Sequence, residues 1–488
     1  MAAAVEHLDV IVIGAGLSGV DAAHHLVTEC PWASFAILEG RERVGGTWDL
    51  FRYPGIRSDS DMYTFSYPWR PWNSDEGIGS GGDIRDYIED TAHEDGTFDT
   101  IRFGHRVTRL DWSSDDHRWN VSAERTLESG EVEPVELTCS FVMSCTGYYR
   151  YDRGYLPEWE GMDRFGGTLV HPQFWPEDLD LAGRRVVVIG SGATAITLVP
   201  ELAKVADRVV MLQRSPTYVV SLPRVNPVDK ALRRVLPDRV AGAALRWAHA
   251  LGTQGSYQLS RRRPAFMKRV LRRGLERDLP AGFDIDTHFT PHYDPWDQRL
   301  CVVTDGDLFA AIAAGSVDVV TDHIDSFDET GIRLRSGDRL DADVVITATG
   351  LEVLFLGGMD LVVDGSKVDP ATRLTYKGMM LEDVPNLAVA IGYTNASWTL
   401  KSDLTCGFTA RILNHLHHRG LRSVVAHNTD GAEPAGDMMG LTSGYITRAA
   451  RELPRQGTRY PWQVYQSYVR DYRALKRSDV EDGVLTYS

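Results

Sequence analysis

The sequence predicts an α/β chain of two Rossmann-like dinucleotide-binding units, the second inserted in the first, with a helical insertion inside the second. Three observations predict it. An apolar strand runs into Gly14-x-Gly16-x-x-Gly19, a second runs into Gly190-x-Gly192-x-x-Ala195, and a basic, helix-favouring stretch occupies about 222–290.

The first unit opens at residues 8–13 (LDVIVI), a β-branched run of the kind a buried parallel strand needs. Gly14, Gly16 and Gly19 then allow a tight turn and a close backbone approach to a pyrophosphate, which sits at the N-terminus of the helix that follows. A second strand at 34–38 ends in Glu39, whose carboxylate accepts hydrogen bonds from ribose hydroxyls and favours a nucleotide without a 2′-phosphate. The pattern recurs at 185–189 (RVVVI), with Gly190 and Gly192 before a helix opened by Ala193 and Thr194. Its second strand leads into Arg214 and Ser215 rather than an acid. A guanidinium there binds a 2′-phosphate in bidentate fashion, so the second site is expected to prefer NADPH. Residues 140–147 and 343–350 each end in Thr-Gly and are expected to carry the chain between the units. The expected domains are therefore 1–150 and 351–488 for the first unit with its C-terminal segment, and 151–350 for the second.

Composition narrows the class. With 43% hydrophobic and 25% charged residues the chain is that of an ordinary soluble protein, with no run near the roughly 20 apolar residues of a spanning helix. The start of the chain runs directly into a strand without a basic leader, which suggests a cytoplasmic enzyme. Five scattered cysteines offer neither a disulfide framework, nor a metal-ligand spacing, nor the paired redox motif of a flavin disulfide reductase. A net charge of −16 disfavours nucleic acid. Yet residues 221–277 carry 14 Lys and Arg against three acids. A solvated helical face is the plainer account of that excess; attraction of NADPH or weak peripheral contact with an anionic membrane are the others.

Two longer motifs complete the pattern. Residues 165–176 place Phe165, Gly167, His171, Trp175 and Pro176 at the spacing F-x-G-x-x-x-H-x-x-x-W-P, between the two glycine loops. After the first loop come Gly45-Gly46-Thr47-Trp48, then Tyr53-Pro54-Gly55, then Asp59. Together these motifs, in this order and over nearly the whole chain, resemble the type I Baeyer–Villiger flavin monooxygenases. Segments such as QRSPTY, PHYDPWDQRL and GYTNASWTL are closest to the thioamide-prodrug-activating members. The resemblance implies FAD at the first loop and NADPH at the second. It also implies a flavin C4a-peroxide made with O2, which turns small hydrophobic ketones into esters or oxidises thioethers and thioamides. N- or S-oxygenation without Baeyer–Villiger activity is the nearest rival, and a non-catalytic flavoprotein sensor or membrane-docked scaffold the remote one.

Arg299 in DPWDQRL matches the family's arginine over the flavin, where a permanently charged guanidinium stabilises a peroxide anion in a dry site. Asp59 matches the carboxylate that orients it. Gln298 departs from the lysine common at that position, so 2′-phosphate selectivity is expected to rest on Arg214 and Ser215. His171 is expected to serve as a hinge or packing group rather than a base. Asn395 and Trp398 are expected to line the substrate pocket. The oligomeric state is left open.

Overall fold

In the computed structural model, which describes residues 5–298, 300–440 and 442–488, the first unit is built around β1 (Glu6–Ile13), α1 (Leu17–Glu29) and β2 (Phe35–Leu38). β1 and β2 pair in parallel from Val10–Phe35 to Ile13–Leu38. Val10 and Val12 enter one core with Val20 and Leu26 of α1, whereas Ile11 and Ile13 enter the other. A strand buried on both faces is what its uninterrupted apolar sequence requires. Short helices α2 (Thr47–Leu50) and α3 (Met62–Phe65) and the longer α4 (Gly81–Glu94) follow.

β3 (Ile101–Arg102), β4 (His105–Ser113), β5 (Arg118–Thr126) and β6 (Val132–Ser144) complete this part of the sheet. β6 is longer than its sequence suggested and lies centrally. It runs antiparallel to β5 and parallel to β1, so one strand joins a meander to the nucleotide-binding core. Much later in the chain, residues 360–363 and 387–389 return to β4 and β6.

Between them a second, parallel sheet forms from β7 (Thr168–Val170), β8 (Arg185–Ile189), the strand β9 (Arg208–Gln213) that follows α5 (Ala193–Leu202), and later strands. β10 (Val219–Leu222) leads into the insertion, α6 (Pro227–Val235), α7 (Asp238–Arg262) and α8 (Pro264–Asp278). β11 (Cys301–Thr304) returns parallel to β10. β12 (Val317–Thr321) pairs with β9; β13 (Ile324–Asp328), β14 (Gly331–Leu334) and β15 (Arg339–Asp341) form a small antiparallel sheet. β16 (Val344–Thr347) lies between β8 and β7. All five cysteines are free and buried.

α1 also buries a charge cluster against the helix Thr399–Arg419. His25 Nδ1 lies 2.7 Å from Glu29 Oε1, and its Nε2 lies 3.3 Å from Asp403 Oδ1 and 4.0 Å from Asp21 Oδ1. Burial opposes protonation of His25, but the carboxylates of Asp403, Glu29 and Asp21 prevail and push its pKa up to about 10. Burial, followed by the nearby Asp403, pushes Asp21 up to about 7. Replacing His25 by Leu leaves two buried acids without their cation and is expected to destabilise the fold by about 3–5 kcal/mol. The folded pKa exceeds the ordinary value near 6.5. The stabilisation from His25 is therefore fully present below about pH 6.5 and is lost as pH rises through about 10. Urea unfolding of both proteins should show a smaller difference at pH 9.5 than at pH 6.5; an equal difference would contradict a charged His25.

Candidate dinucleotide cleft

The first glycine loop is shaped by contacts that no side chain fits. Gly14 has φ +100°, and a Cβ there would lie 2.7 Å from the carbonyl oxygen of Cys145. A Cβ on Gly19 would lie 1.8 Å from the Gly14 carbonyl oxygen, so α1 packs directly on the turn that precedes it. Glu39, at the end of β2, accepts the Ala15 N–H at 2.7 Å and the Arg41 N–H at 2.9 Å. Burial raises its pKa against those two hydrogen bonds.

A cavity of about 860 Å³ opens here, bounded at the loop by Gly14, Gly16, Glu39 and Arg41. Arg41 has one guanidinium nitrogen on Asp49 at 2.5 Å, while its buried Nη1 has no hydrogen-bond partner. A buried N–H donor without an acceptor, beside a glycine-lined helix N-terminus, matches what a pyrophosphate supplies. The volume lies near the upper end of small-ligand sites, as an FAD-sized molecule requires. The residues present therefore fit FAD.

The second motif folds onto this loop. Gly45 N–H donates to Ala15 O at 3.1 Å, and Gly46, at φ +54°, approaches so closely that its Cβ would sit 3.2 Å from Gly16 Cα. Thr47, Trp48 and Asp59 line the same cavity, as do Tyr148, Tyr151 and Trp398. Trp398 is fixed by donation from Nε1 to Ser18 Oγ at 2.8 Å and by stacking on Tyr148 at 5.2 Å. Asn395, expected at the substrate pocket, is not among the residues that line this cavity. Its amide donates to Gln466 O at 3.0 Å, which anchors the C-terminal segment instead. The neighbouring Tyr393 lines the cavity in its place and donates to Asp471 at 2.7 Å. Arg299 lies outside the described residues.

The second loop has the same backbone logic. Gly190 has φ +141°, and its Cβ would meet Ala348 O at 2.3 Å, whereas a Cβ on Gly192 would meet open space. Ala195, at the third glycine position, is fully buried in the core beneath. Arg214 and Ser215 are exposed side by side, with Ser191 Oγ donating to Ser215 O at 3.1 Å. An exposed cation beside an open loop fits the 2′-phosphate of NADPH. The two units touch here: Gly55 sits where a Cβ would lie 2.5 Å from Glu201 of α5, and the Tyr53 hydroxyl hydrogen-bonds Thr194.

The long motif lies away from the cavity, against both connections between the units. Phe165 packs on Phe327 at 6.0 Å, and a Cβ on Gly167 would strike Asp343 O at 2.5 Å, where β7 joins β16. His171 Nδ1 accepts the Gln173 N–H at 3.2 Å, and its ring covers Gly154, where a Cβ would lie 2.0 Å from Cε1. Burial lowers the His171 pKa. Gln173, absent from the sequence reading, donates to Arg150 O at 2.9 Å and Tyr151 O at 3.0 Å. The two connections are tied to each other by Tyr155 N–H on Gly350 O at 3.1 Å and by Thr349 Oγ1 on Tyr155 O at 2.5 Å. Trp175 packs against the second core, and Pro176 O accepts the Leu179 N–H at 3.5 Å.

Two dinucleotide loops in units tied by such connections define a two-nucleotide oxidoreductase. Residues 80–413 match the flavin-binding monooxygenase-like family, and 12–76 match an NAD(P)-binding Rossmann-like domain. The chain belongs to the flavin-binding monooxygenase-like family and is a flavin monooxygenase. It is 49% identical to the FAD-containing monooxygenase EthA of Mycobacterium tuberculosis, over 99% of this chain and 98% of that protein. It is 47% identical to the putative FAD-containing monooxygenase MymA of the same organism, covering 99% and 98%. Its fold matches an oxidised steroid monooxygenase bound to NADP, with a TM-score of 0.79 and 21% identity over 99% of both chains. It also matches an open cyclohexanone monooxygenase, with a TM-score of 0.76 and 19% identity over 99% and 100%.

Proposed function

We propose that the enzyme is an NADPH- and O2-dependent Baeyer–Villiger monooxygenase that also oxidises sulfur, acting on small hydrophobic ketones, thioethers or thioamides. The observation that carries this reading is the cavity at the first glycine loop, lined both by polar groups and by aromatic side chains. Glu39 and Arg41 line it, and so do Trp48, Phe65, Trp398 and Asp59. Bound FAD, once reduced by NADPH, supplies the activated oxygen. Residues 1–150 and 351–488 would hold it, and 151–350 would hold NADPH.

The protein's contribution is positional and electrostatic. The amides of the Gly14–Gly19 turn and the free Nη1 of Arg41 receive the pyrophosphate, and Glu39 the ribose. Arg214 and Ser215 select the phosphorylated nicotinamide coenzyme. Asp59 orients Arg299, whose charge stabilises negative oxygen at the reacting end. Trp48, Tyr393 and Trp398 exclude water there. His171 and Gln173 hold the two connections together, so that the units keep their relation while NADPH and substrate alternate.

The test is NADPH oxidation with product analysis across linear ketones, arylketones, thioethers and thioamides under labelled O2. Esters and S-oxides each carrying one labelled oxygen are expected. Ketone attack needs a deprotonated, nucleophilic oxygen donor and sulfur attack a protonated one, so the ester-to-sulfoxide ratio should rise with pH. S-oxides without ester at any pH would leave only the N/S-oxygenating reading, and the absence of substrate-stimulated NADPH consumption would overturn both.

A further inference from the structure

The helices of the insertion expose large apolar side chains to solvent. α7 turns polar groups inward: Arg246, 6% exposed, donates to Thr64 O at 3.1 Å and Ser66 O at 2.6 Å beside α3. His249 Nε2 lies 2.9 Å from Asp229 Oδ2, and Ser260 is 1% exposed. Facing outward are Val240, Leu251 and Leu259, at 53%, 51% and 41% exposure. Ala241, Leu245 and Ala250 are buried on the same helix, so its inner face is mixed, whereas the outer face of a surface helix is normally polar. The neighbouring helices also expose apolar side chains, Val228 and Val235 on α6 and Phe266 and Val270 on α8. Among the described residues, nine of the 17 exposed large hydrophobic side chains fall between Leu222 and Val270. Such concentration marks a binding surface rather than scattered surface residues.

The same helices carry exposed Arg234, Arg239, Arg262, Arg263, Arg269 and Arg273, and none of these six forms an ion pair with a described residue. Apolar side chains thus alternate with uncommitted cations over three consecutive helices, while the chain as a whole is at −16. No helix among the described residues is long and apolar enough to cross a membrane. We propose that the outer face of α6–α8 docks on a membrane surface rich in anionic phospholipid. The valines, leucines and Phe266 enter the boundary between headgroups and acyl chains, and the arginines extend to the phosphates. A laterally fluid anionic layer satisfies cations spread over three helices without needing fixed counter-charges. This inference rests on the insertion alone and is independent of the substrate assignment.

The experiment is co-sedimentation of the FAD-loaded, full-length enzyme with vesicles of phosphatidylcholine alone or mixed with phosphatidylglycerol, at low and high salt. Binding to the mixed vesicles at low salt is expected, about tenfold stronger than to pure phosphatidylcholine and weakened by salt. The double variant Leu251→Asp/Phe266→Asp should lose at least about tenfold in binding, with its flavin content and its NADPH oxidation in solution unchanged. Arg262→Gln/Arg263→Gln/Arg269→Gln should reduce binding to the mixed vesicles only. Three results would overturn the proposal: no pelleting at low salt; full binding by the Asp double variant, which would mean adsorption by charge alone; or a wild-type dimer that the double variant splits, which would mean that a second copy covers this face.

Discussion

Gly19→Val is expected to yield a folded protein without bound flavin and without monooxygenase activity. The valine Cβ would fall 1.8 Å from the Gly14 carbonyl oxygen and 2.9 Å from its carbon. Neither is the movable end of a side chain. The N-terminus of α1 must therefore shift away from the turn that ends β1, and the amides that face the pyrophosphate shift with it. Gly14 cannot yield in the other direction, because it is already at φ +100° and close to Cys145 O. The hydrophobic faces of β1 and α1 remain intact, so loss of cofactor rather than loss of fold is the expected result. Flavin absorbance per protein after gel filtration measures it, together with the rise in thermal midpoint on adding FAD, which should be large for wild type and absent for the variant. Gly252→Val is the control, since a Cβ there meets nothing within 4 Å. Full flavin content in Gly19→Val would mean that the pyrophosphate does not use this turn.

Both nucleotide units were legible because their signals are local. Five or six consecutive apolar residues, a glycine turn and a helix form a single folding unit, and nothing distant alters the reading. The length and central place of β6 were not legible. Its first half pairs only with β5, and such pairing depends on a partner that the sequence of residues 132–144 does not name. Arg41, Tyr151 and Gln173 were missed for the same reason. None is a specified position of a motif, and each is recruited by chain segments that meet only in three dimensions. Arg41 did carry one signal, a cation two residues beyond Glu39. Asn395 does not line the nucleotide cavity as Trp398 does, because proximity in sequence says nothing about direction, and its amide turns to Gln466. In the insertion the charge excess was visible, but the outward turn of its apolar residues was not. Helical periodicity gives the two faces without saying which one meets the protein.

Arg299→Ala is expected to keep NADPH-driven flavin reduction while ketone oxygenation falls by about 10²–10³, the scale of removing one fixed charge-stabilising donor. The chain on either side of this position is firmly held. Asp297 N–H donates to Asp294 O at 3.0 Å, Asp297 O accepts from Thr442 N–H at 3.1 Å, and Cys301 N–H donates to Tyr218 O at 2.8 Å as β11 begins. With these flanking segments held by backbone hydrogen bonds, truncation at this position should act through charge rather than local unfolding. Arg299→Lys separates the two: it keeps the charge but loses the planar set of donors and gains a pKa that a dry site can lower, so partial activity with an altered pH profile is expected. Asp59→Asn should fall between wild type and Arg299→Ala, because it removes the carboxylate proposed to orient the guanidinium and leaves the cation. NADPH consumption in Arg299→Ala should continue, uncoupled from product and releasing hydrogen peroxide. Stopped-flow reduction rates and product yields per NADPH distinguish the outcomes. Unchanged ketone turnover would remove Arg299 from the chemistry, and slowed flavin reduction alone would make it a coenzyme-binding residue.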